Sequence, residues 1–144
     1  TANGNMVLAL SARSDRDQDI ALYPPNFAVT NSYNGAASSQ TLTDYSTSLQ
    51  TRLVGGNVNG ISSVQGTLTS SALGGKSVTV QTPTPFTRVG TQANPSSGQA
   101  IITGVGASKV KVQANNATTV TISLDADGND TYETSVTKAW SELL

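Results

Sequence analysis

Apolar and polar residues alternate with a period of two along the last third of the chain, and parity sorts them. Even positions carry Ala100, Ile102, Val110, Val112, Val120, Ile122, Leu124, Tyr132, Val136 and Trp140. Odd positions carry Lys109, Lys111, Gln113, Thr119, Thr121, Ser123, Glu133, Ser135 and Thr137. Successive side chains of a strand point to opposite faces, so the pattern predicts strands over residues 99–103, 109–114, 118–125 and 131–140, greasy on one face and wet on the other. Opposed residues of an antiparallel pair share a face, which requires loops with an odd number of residues. A loop of Asn115, Asn116 and Ala117 sets Val112 opposite Val120 and Val110 opposite Ile122. A loop over residues 126–130 sets Leu124 opposite Tyr132 and Val120 opposite Val136. A loop through Gly104, Val105 and Gly106 pairs Ile102 with Val110. The prediction is a four-stranded meander at about residues 99–140 with one solvated face.

The first two thirds show the same short period in a less regular form. Residues 6–10, Met6-Val7-Leu8-Ala9-Leu10, are apolar at every position, which is the pattern of a central strand covered on both faces. If subunits polymerise, this segment is the candidate to fill a groove in a neighbour. Further strands are expected over residues 27–33, 40–45, 48–54, 64–69 and 77–82. Between them lie turn clusters: Tyr23-Pro24-Pro25-Asn26, Asn34-Gly35, Gly55-Gly56-Asn57, Leu73-Gly74-Gly75-Lys76, and the long stretch 82–98 with Pro83, Pro85 and Pro95. No segment sustains a helical period, and no linker divides the chain. Residues 1–144 therefore read as a single all-β domain, an antiparallel, meander-rich sandwich or a closed or partly open barrel. Trp140, Tyr132, Phe27 and Phe86 are the expected anchors of a core otherwise made of Val, Leu and Ile.

Composition narrows the function. Charged residues are 12% of the 144, about half the usual share, and the formal charge is -1. Neither sign dominates, so the chain has no electrostatic footprint for nucleic acid or an anionic membrane. With no His and no Cys, imidazole bases, thiol nucleophiles, zinc sites and disulfides are excluded. Ser and Thr together make up about a quarter of the residues. This neutral, hydroxyl-rich surface suggests an exported bacterial protein. Met6 is the only methionine, and Thr1 reads as the start of a processed or excised piece. No apolar run approaches the roughly 18 residues of a membrane span, and no signal-peptide pattern opens the chain.

The motif that carries chemistry is Asp125-Ala-Asp127-Gly-Asn129-Asp130-Thr-Tyr-Glu133, at the expected tip of the last hairpin. Hard oxygen ligands at alternating positions of a tight loop are what calcium requires, with a later acid completing the shell. Asp125, Asp127, Asn129 and Glu133 hold positions 1, 3, 5 and 9 and are the candidate metal ligands. Position 6 is Asp130 in place of the turn glycine, and position 12 is Val136 in place of a bidentate Glu. The competing reading is a polar turn that discourages edge-to-edge aggregation. The run ending in Tyr132-Glu133, followed by Trp140-Ser-Glu-Leu143, resembles the C-terminal hairpin of small secreted bacterial β-domains that end in D-x-D-G-D-G-x-Y-E and W-x-x-L. That resemblance spans about a sixth of the chain and implies an exported all-β protein.

Other features read as structural. Asp15, Asp17 and Asp19 alternate with Arg13 and Arg16 and form a solvated, internally paired loop. Paired carboxylates can hydrolyse glycosides, but the sugar-stacking aromatics Tyr132 and Trp140 lie on the expected core face, so no enzyme activity is expected. The Thr-x-Thr pairs at residues 41–43, 67–69, 82–84 and 119–121 have no common repeat and read as exposed strand positions. The expected function is a non-enzymatic extracellular structural or interaction module, a bacterial surface, adhesin or filament subunit whose partner is another protein or itself. The alternative is a carrier that encloses an apolar ligand in a barrel or curved sheet.

Overall fold

The computed structural model describes residues 2–5, 7–14, 16–23, 26–33 and 36–143, the side chains of residues 31–33 and 36 excepted. Its strands are β1 Ala2–Gly4, β2 Val7–Ala12, β3 Gln18–Tyr23, β4 Asn26–Tyr33, β5 Ala36–Val54, β6 Asn57–Ser70, β7 Ser77–Val89, β8 Ser97–Thr103, β9 Lys109–Ala114, β10 Thr119–Asp125 and β11 Thr134–Ala139. All belong to one antiparallel sheet. β3 and β4 lie end to end along one side of β5, and β1 and β2 lie end to end outside them. From β5 onward each strand pairs with the next in the chain. The expected all-β, meander-rich class holds. The sheet is not closed into a barrel. Among the described residues, the element pairs in extensive contact are hydrogen-bonded strand neighbours, apart from β5 with the 3-10 turn Ser71–Leu73. The chain is thus one continuous sheet with little buried apolar core among the described residues.

Local chemistry explains where the strands turn and where they irregularly pair. Gly55 and Gly56, with φ of 57° and 82°, join β5 to β6 in a two-residue hairpin closed by Val54 opposite Asn57. Two positive φ values in succession match the twist of the flanking strands, and glycine adopts them without strain. Expected strands 40–45 and 48–54 merge into β5, because Ser46 and Thr47 between them pair with Gln65 and Val64, and a β-bulge at Asp44 and Tyr45, opposite Gly66, takes the place of a turn. The stretch 82–98, expected as a loop, continues β7 as far as Val89. Pro83 and Pro85 are tolerated there because both neighbouring ladders skip at that point. The Thr82 hydroxyl fills part of the gap, accepting from the Val64 amide at 3.0 Å and donating to its carbonyl at 2.8 Å. Strand β3 was hidden by the charges of Asp17 and Asp19, while Asp15, Pro24, Pro25, Asn34 and Gly35 lie outside the described residues.

In the C-terminal meander the parity is as expected; the register is as expected between β8 and β9 and differs in the two later pairs. Ile102 is opposite Val110. Val120 pairs with Ala114 and Ile122 with Val112, two residues from the expected partners, because a hydrogen bond from the Asn115 amide to the Thr119 carbonyl extends the ladder to that pair. Likewise Ile122, not Val120, faces Val136, and Leu124 faces Thr134. β11 starts three residues later than expected, since residues 126–133 are held by the tip's own hydrogen bonds.

The even-numbered residues of β8 to β10 share one face, which is covered only in part. Val120 is fully buried, with Ala100 and Ala114 the other buried apolar residues, whereas Val136 is 45% and Leu124 41% exposed. Burial concentrates at one corner, where the Trp140 indole donates to the Asn116 carbonyl at 3.2 Å and the Asn94 amide to that of Ala117 at 3.3 Å. Phe86, Pro95, Ala100, Val112 and Trp140 line an open groove of about 310 Å³ beside it. Tyr132 is not a core anchor: it lies outside β11 and its ring packs 4.1 Å from the Lys111 ammonium on the opposite face. That face is laced by hydroxyl pairs across strands, Thr121 with Thr137 at 3.0 Å and Ser135 with Ser123 at 2.8 Å. Residues 6–10 are corrected most sharply. The described part, in β2, is an edge strand exposed along its whole length, not a covered central one; Met6 lies outside the described residues.

Candidate metal centre

The loop between β10 and β11 is built around Asp125. Its side chain is fully buried, and its two oxygens accept backbone N–H groups from Gly128 at 2.8 Å, Asn129 at 3.2 Å and Asp130 at 3.0 Å. A carboxylate that accepts several amides has its charge balanced without a cation, and it curls the chain into a tight tip. Gly128, with φ of 77°, sits against the turn Val105–Ala107: a β-carbon there would lie 2.8 Å from the Gly106 carbonyl oxygen. The tip is therefore docked on the β8–β9 connection. The carboxylate of Asp130, whose φ is 67°, pairs with the Lys109 ammonium. That hydrogen bond, with the nearby charges of Asp130 and Asp125, holds the Lys109 pKa above its ordinary 10.5.

Three of the four expected ligands converge. Asp125, Asp127 and Glu133 each offer a carboxylate oxygen, all within 4.8 Å of one another, so the cluster can hold a metal ion. Asp127 and Glu133 are exposed and can adjust to an ion. Glu133 already accepts from the Ala126 amide at 3.0 Å. Asn129 lies beside them. Its side-chain NH₂ donates to Asp127 at 3.0 Å and its carbonyl accepts the Thr131 amide at 2.7 Å, so it supports the loop from within. The second acidic run is dispersed: Asp19 pairs with Arg52 at 2.5 Å, and Asp17 accepts the Leu53 amide at 2.9 Å. Neither contact was legible, since both partners are more than thirty residues away. No protein-family model, curated protein or solved structure matches the chain. No helix among the described residues is long and apolar enough to cross a membrane.

Proposed function

We propose that the chain is a non-enzymatic structural or interaction module of the bacterial exterior, a surface, adhesin or filament subunit that works by association of its sheet. The observation that carries this reading is an apolar sheet face that the chain leaves partly open, with Leu124 41% and Val136 45% exposed. A stable β-architecture covers such a face with another layer or closes it on itself. The accessible surface is 8797 Å². A compact monomer of 14.7 kDa exposes about 6,900 Å². The excess of about 1,900 Å² is what an oligomer with a sizeable interface would hide on each subunit. The hydroxyl-rich, cysteine-free composition supports export. Asp125, Asp127 and Glu133 serve this module as a structural calcium site at the hairpin tip. The carrier reading draws on the groove at Phe86 and Trp140, but an open groove buries little of a ligand.

Sedimentation velocity over the micromolar range tests the reading. A mass that rises above 14.7 kDa with concentration supports it. A single-chain mass at every concentration contradicts it.

A further inference from the structure

We infer that two copies of the chain join through β2, edge to edge and antiparallel, about a two-fold axis normal to the sheet at Ala9; this rests on the associating-module reading and adds the partner and the joint. β2 has the residues of a sheet interior and the position of an edge. Val7, Leu8 and Leu10 are 56%, 57% and 69% exposed, and β3 is the strand's single partner in the sheet. Soluble proteins block exposed edges with charge, proline, bulges or short length. β2 has none of these devices: Val7-Leu8-Ala9-Leu10-Ser11-Ala12 carries no charge and no proline, and it pairs with β3 over six residues without a register shift. The other free edges differ, since β1 has three residues and β11 carries Lys138.

The strand's own pattern selects the occupant. A neutral strand that is apolar on both faces offers nothing to a charged partner and has no like charge to repel its own copy. Leu8 and Leu10 flank Ala9 symmetrically. An antiparallel copy centred at Ala9 therefore sets Leu8 opposite Leu10 of the second copy, and the smallest side chain lies on the axis. Leu8 is already opposite Leu22, and Leu10 opposite Ile20, within the chain. Directly opposed residues share a face, so the joint continues the row Leu22–Leu8 into Leu10–Ile20 of the second copy.

The chain contains no cysteine, so single introduced cysteines report the register. In the proposed joint Ala9→Cys meets its own copy at a separation a disulfide spans, roughly 4.4–6.8 Å between α-carbons. Val7→Cys lies four residues from its copy, roughly 13 Å along the strand. Mild oxidation should convert most of the Ala9→Cys protein, and little of the Val7→Cys protein, to covalent dimer, and mixing Val7→Cys with Ser11→Cys should restore cross-linking. Leu10→Lys, at an exposed position that leaves the fold intact, should halve the sedimenting mass. Equal cross-linking at Ala9 and Val7 would overturn the joint. So would a wild-type oligomer that survives Leu10→Lys without linking at Ala9; the associating reading would then stand with its contact elsewhere. A wild-type mass of one chain at all concentrations would remove both.

Discussion

Gly98 of β8 lies directly against Phe86 of β7: a β-carbon on the glycine would stand 2.5 Å from the Phe86 α-carbon and 2.7 Å from the Pro85 carbonyl oxygen. Its φ of 121° is one that side-chain-bearing residues rarely adopt. The contact falls where the β7–β8 ladder skips between Thr84 and Thr87, so the glycine lets two backbones close over a gap in the hydrogen bonding. Gly66 does the same against Tyr45 at the β5 bulge, with 2.5 Å to the Tyr45 α-carbon.

Gly98→Ala and Gly66→Ala should each destabilise the fold by roughly 1–3 kcal/mol, the cost of a strained backbone conformation with added overlap. Gly74→Ala is the comparison, because its φ is also positive but a β-carbon there meets nothing within 4 Å. Urea unfolding of the three variants checks this. Equal losses would mean that φ alone, and not the close approach, governs these sites.

Burial on the apolar face is uneven, and mutations should reveal it. Val120→Ala removes two methyl groups from a fully buried site and should cost roughly 2–3 kcal/mol. Val136→Ala, on the same face but 45% exposed, should cost under about 1 kcal/mol in the single chain. Chemical denaturation at high dilution gives both values. A loss at Val136 as large as that at Val120 would indicate that this part of the face is covered.

The hairpin tip separates a loop-forming acid from ion-facing ones. Asp125→Ala leaves three backbone N–H groups without their acceptor and should cost about 2–4 kcal/mol whether or not calcium is present. Calcium should raise the melting temperature of the wild type by mass action, and the response should vanish in Asp127→Ala. Thermal melts with calcium and with chelator decide it: equal calcium responses in wild type and Asp127→Ala would identify the tip as a polar turn alone.

The Lys109–Asp130 pair gives a dependence on pH. The folded-state pKa of Lys109 is raised above 10.5, so its contribution to stability is complete below that value and is lost as pH rises through the higher folded one. Lys109→Gln should therefore be less stable than the wild type at neutral pH and converge with it as the solution is made strongly alkaline. A stability difference that does not change with pH would show that the pair contributes through packing.

Much of the architecture was legible in the sequence because side-chain alternation reports the faces of a sheet directly. It gave the strand class, the parity of β8 to β11 and, Tyr132 apart, the apolar set on one face. It gave the β8–β9 register but not that of β9 with β10, since shifting a pair by two residues preserves parity and the outcome there depends on one closing bond at Asn115 and Thr119. Nor could it place Pro83 and Pro85 inside a strand, because only the skipped ladders on both sides make them tolerable. At the tip, spacing brought out Asp125, Asp127 and Glu133, whose carboxylates converge, while the orientation of the Asn129 amide follows from its bonds to Asp127 and Thr131. β2 is the informative mismatch: its residues describe a covered strand, and a single chain does not cover it.

Amide hydrogen exchange along β2 tests the central claim most directly. In a single chain the N–H groups of Val7–Ala12 that do not point toward β3 have no strand to pair with and exchange rapidly. If β2 joins a second copy, exchange across Val7–Ala12 slows as the protein is concentrated, and Leu10→Lys restores the fast rate. Exchange that stays fast at every concentration, in wild type as in Leu10→Lys, would contradict it.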